Sequence, residues 1–265
     1  MIELKNVTKA FKAHKALDNV DMTINKGSVY GLLGSNGAGK STILRLLSGI
    51  YRQEGGEVLI EGKPVYDNVE LKQRIFFIND ETVQFTSYTL NDLKDLYKSY
   101  YPNFSEEIFE KLKTKINLPT NRKISTFSKG MKRQAIFIIA LACNTDYLLL
   151  DEAFDGLDPT MRIIVRQMLV DAMIERNLTV VISSHNLKEM NDLCDTVGLL
   201  HNGKIIFSSE LDNLKGDIHK LQLAFSDNTQ EITREQLEET GLEILHFEKN
   251  MSVYHIIVKG DIDTV

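Results

Sequence analysis

Gly34-Ser35-Asn36-Gly37-Ala38-Gly39-Lys40-Ser41 decides the reading of this chain. It follows the apolar run Val29-Tyr30-Gly31-Leu32-Leu33, which reads as a buried strand. It precedes Thr42-Ile43-Leu44-Arg45-Leu46-Leu47, which has helical spacing. Strand, glycine-rich loop and helix in that order make G-x-x-x-x-G-K-[ST] a phosphate loop. Gly34, Gly37 and Gly39 carry no Cβ, so the backbone can curl round a phosphate with its N–H groups inward. Ser35, Asn36, Ala38 and Thr42 belong to the same cradle, and the helix that follows adds the positive end of its dipole. Lys40 is placed to reach the β- and γ-phosphates, and the Ser41 hydroxyl to hold Mg²⁺.

The rest of the composition is ordinary. The chain has 265 residues, of which 43% are hydrophobic and 26% charged, enough to bury a core. Its net charge of -6 gives a nucleic-acid partner no support. Its two cysteines, Cys143 and Cys194, lie in apolar helical contexts and read as core residues of a reducing compartment. No apolar run approaches the ~18 residues of a membrane span, and Met1 to Phe11 shows no signal-peptide core. The expectation is a cytosolic chain that can dock on a membrane protein.

In chain order, residues 2–8 and 20–24 alternate as strands, with Phe11 between them, either a half-buried core ring or a platform for a nucleobase. Residues 57–60 and 63–66 read as a hairpin around Glu61-Gly62. The first ~65 residues thus look mainly antiparallel, wrapped around one strand–loop–helix unit. Ile75 to Ile78 is a short buried strand ending in Asn79-Asp80-Glu81. Two helices follow, starting at Thr89, with Asp92 as an imperfect capping box, and near Ser105. They form a helical insertion at about residues 80–145. Its aromatics Tyr88, Tyr97, Tyr100, Tyr101 and Phe104 either pack the insertion onto the core or mark a protein-binding surface.

Ser128 then caps a helix that is apolar nearly all round, and Ser128-Lys129-Gly130 at its start is a second candidate anion site. Tyr147 to Leu150 is a buried strand ending in Asp151-Glu152, at the edge of a sheet where ligands bind. Asp151 would hold Mg²⁺, and Glu152 would be the base for an attacking water. Asp158 caps and Pro159 opens a long helix running to about Arg176. Leu178 to Ile182 is another buried strand, and His185 after it is placed to sense a γ-phosphate. Residues 187–194 read as a short helix, and residues 197–200 and 204–207 flank an Asn202-Gly203 hairpin turn.

These motifs, in this order, resemble the nucleotide-binding subunit of an ATP-binding cassette (ABC) transporter over residues 1–215. GSNGAGKS resembles the family's phosphate loop, FSKGM (Phe127 to Met131) its signature LSGGQ, YLLLDE its magnesium and catalytic-base strand, and FDGLD (Phe154 to Asp158) its cross-dimer loop. His185 occupies the switch-histidine position and Phe11 the base-stacking one. The resemblance implies an α/β phosphate-loop NTPase core with an antiparallel β subdomain and a helical subdomain. It also implies ATP and Mg²⁺ as ligands, a homodimer closing head to tail on two ATPs, and an integral membrane transporter subunit as partner. Ser128, Lys129, Gly130 and Asp158 would then face the partner's nucleotide. The expected location is the cytoplasm, peripheral on the inner face of the cell membrane.

Three positions depart from the family pattern. Its usual Gln appears as Asp80, or Asn79 if the alignment slips by one, where it could touch metal or water. Lys129 and Met131 replace Gly and Gln, and Ala153 replaces Pro. These changes bear on hydrolysis more than on ATP binding. The SKGM form resembles bacterial exporter ATPases whose substrates are peptides, antibiotics or lipids, those for staphylococcal phenol-soluble modulins among them. A regulatory ATP-binding module with little hydrolysis and a soluble cassette acting on nucleic acid or ribosomes stay open. Residues 216–265 read as a small α+β extension, with strands at 221–225 and 253–258 and a helix at about 233–239. The last residues, Asp261 to Val265, give no obvious stop, which leaves truncation open.

Overall fold

β1 (Ile2–Phe11) and β2 (His14–Ile24) form one long antiparallel hairpin rather than two short strands. Register shifts between Leu4 and Ala10 break the period of two, which is why the alternation fades along the sequence. Phe11 therefore ends a strand, opposite His14. The structure, a computed structural model, describes residues 1–12, 14–79, 87–185, 190, 193–211, 218–224, 233–238, 243–250 and 253–259. It comprises two units, Met1–Ser208 and Ser209–Val265.

In the first unit the chain continues into β3 (Val29–Leu33), α1 (Lys40–Leu47), β4 (Gly55–Ile60), β5 (Lys63–Pro64), α2 (Val69–Lys72) and β6 (Ile75–Ile78). The antiparallel sheet has the order β2-β1-β4-β5. β5 has two residues, short of the expected hairpin arm, although the Val65 N–H still donates to Val58 O at 3.3 Å. α3 (Leu90–Tyr100), α4 (Glu106–Ile116) and α5 (Lys129–Ala142) make the helical part. Thr89 and Asp92 form a complete capping box, and Ser105 caps α4. From Arg133 to Ala142 α5 is buried except at Gln134, as its all-round apolar sequence requires.

β7 (Tyr147–Asp151), α6 (Pro159–Arg176), β8 (Thr179–Ser184), β9 (Thr196–His201) and β10 (Lys204–Glu210) complete a six-stranded sheet of order β10-β9-β3-β8-β7-β6. β7 and β8 are buried at every position, the mark of central parallel strands covered on both faces. Asn202 and Gly203, both at positive φ, form the two-residue turn between β9 and β10. α1 packs against strands of both sheets, and its Ile43, Leu44, Leu46 and Leu47 sit in one core with Ile2, Leu4, Ile60, Tyr147 and Val181. The insertion's aromatics divide: Tyr97 and Tyr101 pack on Phe76 at 5.4 and 5.5 Å, while Tyr100 and Tyr88 are exposed. Both cysteines are buried and free. Most of the helix expected at 187–194 lies outside the described residues.

The second unit holds a three-stranded antiparallel sheet, order β11 (Ile218–Ala224), β13 (Val253–Lys259), β12 (Glu243–Asn250), and a short helix, Arg234–Glu238. β12 was not foreseen from the sequence: a register shift between Ile244 and His246 interrupts its alternation. Ile244, Tyr254 and Ile256 form a small core with Leu237 and Phe247 against it. Among the described residues no helix is long and apolar enough to cross a membrane.

Candidate functional site: a phosphate-loop cleft

Parallel register gathers the chemistry at one sheet edge. Leu33 at the end of β3 pairs with Ser184 of β8, and Ser183 pairs with Asp151 at the end of β7. The phosphate loop, Ser183, Asp151 and Glu152 therefore emerge side by side, the place where an α/β sheet binds ligands. A cleft of about 590 Å³ opens there. It is lined by Asn36, Gly37, Gly39, Lys40, Ser41 and Thr42 of the loop, by Asp151 and Glu152, by Phe11 at one end, and by His14, Ala16, Arg45 and Asn79.

The loop's shape follows from its contacts. Gly39 has φ 112, and a Cβ there would lie 2.8 Å from the Ala16 carbonyl oxygen, so only glycine closes this corner. The β9–β10 turn supports the loop from outside, the Gly203 N–H donating to Ala38 O at 3.0 Å. Lys40, only 4% exposed, donates from Nζ to Gly34 O at 2.7 Å and Ser35 O at 3.2 Å. Its Nζ is 3.7 Å from Glu152 Oε1. Gly34, Ser35 and Ala38 thus shape the loop through their carbonyls without lining the cleft.

On the opposite wall, Ser183 Oγ donates to Asp151 Oδ1 at 2.6 Å and accepts from the Glu152 N–H at 3.1 Å. This fixes Glu152 in the left-handed region, φ 47, a strained conformation for a glutamate and characteristic of functional positions. His185 Nδ1 is 3.7 Å from Glu152 Oε1, so Lys40, Glu152 and His185 converge. Asn79 borders the cleft at the end of β6, and its carbonyl accepts from buried Arg133 Nη1 at 3.2 Å. Asp80 lies outside the described residues.

Ser128, Lys129, Gly130 and Asp158 do not line this cleft. Ser128 Oγ accepts from Met131 N at 3.2 Å and caps α5; Asp158 Oδ1 accepts from Met161 N at 3.0 Å and caps α6. The two caps are neighbours: a Cβ at Gly156 would stand 3.2 Å from Lys129 Cδ and Cε. His14, Ala16 and Arg45 were not expected from the sequence. Only the adjacency of His14 to Phe11, and the fall of Arg45 one turn beyond Ser41, hinted at them.

A glycine-rich loop, a buried lysine at a helix start and carboxylates on the next strand but one define a phosphate-loop nucleotide-binding protein. Residues 17–155 match the family model described as ABC transporter. The chain is 33% identical over 236 residues to the ABC transporter ATP-binding protein YtrB of Bacillus subtilis (strain 168), covering 89% of this chain and 81% of that protein. It is 30% identical over 238 residues to the bacitracin transport ATP-binding protein BcrA of Bacillus licheniformis, covering 88% and 77%. Its fold matches the dimeric post-hydrolysis structure of the ATP-binding cassette MJ0796 bound to ADP and Pi, with TM-score 0.71 at 24% identity over 80% of this chain and 99% of that one. The chain belongs to the ATP-binding subunits of bacterial ABC transporters, and it is an ATPase.

Proposed function

We propose that the chain dimerises around two MgATP molecules and drives export of a peptide, antibiotic or lipid through a separate membrane subunit, from the cytoplasmic face of the cell membrane. One observation carries the reading. The cleft brings together the phosphate loop, Asp151 and Glu152, with His185 beside Glu152, while Ser128, Lys129, Gly130 and Asp158 stand elsewhere on the same chain. A second copy turned head to tail would bring those residues over the first copy's nucleotide. The BcrA relative, a bacitracin transport protein, supports a peptide-antibiotic substrate class.

In this reading Phe11 lies under the adenine, the loop N–H groups and Lys40 hold the phosphates, and Glu152 takes a proton from the water that attacks the γ-phosphorus. The all-oxygen donor set of Ser41 and Asp151 fits a magnesium ion. Bound with ATP, that ion would neutralise charge on the β- and γ-phosphate oxygens. His185 orients Glu152. Arg133 ties α5, which starts at the signature, to the Asn79 carbonyl beside the cleft, a route from nucleotide to helical insertion. Glu152→Gln keeps the left-handed backbone but removes the base, so MgATP should shift it to a stable dimer in gel filtration with light scattering. Wild-type enzyme should release phosphate steadily under the same conditions. A variant that stays monomeric with MgATP would overturn the closed-dimer mechanism.

A further inference from the structure

The segment between α1 and β4 is fastened to the end of β1 more closely than a connecting loop requires. The Arg45 carbonyl in α1 accepts from Ile50 N at 2.9 Å and Tyr51 N at 3.0 Å, which turns the chain back over β1. Tyr51 then meets Phe11 edge-on, with ring centres 5.3 Å apart and planes at 66°. Lys9 Nζ stands 5.3 Å from the Phe11 ring centre and 6.0 Å from that of Tyr51. The Arg45 guanidinium lies 5.7 Å from the Tyr51 ring. Three residues on, Glu54 grips the strand itself. Its carboxylate accepts from Ala10 N at 2.6 Å and Lys9 Nζ at 2.5 Å, and its N–H donates to Thr8 O at 3.0 Å. The Lys9 ammonium and the Ala10 amide hold the Glu54 carboxyl below its ordinary range.

Phe11 is 41% exposed at a strand end, where an unsupported ring has several rotamers open to it. Edge-to-face packing and a cation beside the ring select one of them. We propose that Tyr51 and Glu54 are positioning residues that hold Phe11 as the platform for the nucleobase. Tyr51 is anchored to α1, the helix that begins at Lys40, and Glu54 to β1, the strand that ends at Phe11, so the segment between them links the base platform to the element that opens at the phosphate cradle. The inference rests on the reading of the cleft as an ATP site with Phe11 under the base.

The consequence is specific: these residues act on the base and leave the phosphates alone. Titration calorimetry with MgATP and with magnesium tripolyphosphate separates the two. Tyr51→Leu and Glu54→Ala should weaken MgATP roughly three- to tenfold, within the range an edge-to-face ring contact supports, and leave tripolyphosphate affinity unchanged. Tyr51→Phe, which keeps the ring, should bind both like wild type. If Tyr51→Leu does not fold, Glu54→Ala decides. Equal loss for both ligands would reduce the segment to structural support and overturn the inference. So would wild-type MgATP affinity in the two variants while Phe11→Ala loses it. Unchanged MgATP affinity in Phe11→Ala would remove the base platform itself, and the inference with it.

Discussion

Glu61 is the position at which a single charge joins the two sheets. It sits in the β4–β5 turn, and its carboxylate accepts from Arg74 Nη2 at 2.8 Å, Arg74 Nη1 at 2.9 Å and the Tyr147 hydroxyl at 3.0 Å. Arg74 also donates from Nε to Asp146 Oδ2 at 2.5 Å, and its carbonyl receives the N–H groups of Asp146 and Tyr147. The antiparallel sheet is thereby pinned to the start of β7. The Arg74 guanidinium pulls the Glu61 carboxyl down from 4.5 to about 2. Because the folded value lies below the unfolded one, the contribution is full above about pH 4.5 and disappears as the pH falls toward 2. At about 1.4 kcal/mol per pH unit, the upper bound is about 3.4 kcal/mol. The side chain is 31% exposed, and screening reduces the figure to about 1–2 kcal/mol. Glu61→Gln should therefore lose about 1–2 kcal/mol at neutral pH, with a fall in melting temperature of about 2–6 °C. Urea unfolding from neutral pH down to about pH 3.5 should show the gap between variant and wild type constant at first, then narrowing below about pH 4.5. A gap that stays the same width across that range would refute the assignment of this stability to the Glu61 charge.

Two further substitutions probe the phosphate loop. Lys40→Ala removes the buried ammonium assigned to the phosphates in the proposed ATP site, and ATP affinity measured by calorimetry should fall by about 100-fold or more; retained affinity would take Lys40 out of that role. Gly203→Val puts a branched side chain at φ 74, where its Cβ meets Ala16 O at 2.7 Å. It should cost about 2 kcal/mol or more and loosen the bond to Ala38, so that the melting temperature falls and ATP restores less of it than in wild type. A variant as stable as wild type would show that the turn does not brace the loop.

How much of this was legible depended on how local the cause was. The phosphate loop declares itself because its corner at Gly39 excludes every other residue and its strand is buried. β7 is legible for the same reason, and the caps at Thr89, Ser105, Ser128 and Asp158 are set by residues within three positions. Where bulges interrupt the period of two, as in β1 and β12, the alternation vanishes although the strand does not. The Glu61–Arg74–Asp146 staple joins residues 13 and 72 positions apart, which no window of sequence connects.

The same distinction explains the cleft. Its phosphate end is built from one contiguous loop and could be read directly. The end proposed to take the base is lined by separated pieces, Phe11 and His14 across a hairpin turn and Arg45 inside a helix, with Tyr51 and Glu54 packed behind Phe11 and Lys9. Phosphates can be held by backbone N–H groups, so glycine spacing records the site. A ring offered to a nucleobase, as proposed for Phe11, is oriented by side chains that the tertiary fold brings together. The signature residues carry the argument one step further. Ser128 and Gly130 have the chemistry of an anion site and cap a helix, yet the chain's own cleft does not use them. In the proposed head-to-tail dimer they would close on the second copy's nucleotide, which makes the spacing of the two motifs a prediction about stoichiometry as much as about fold.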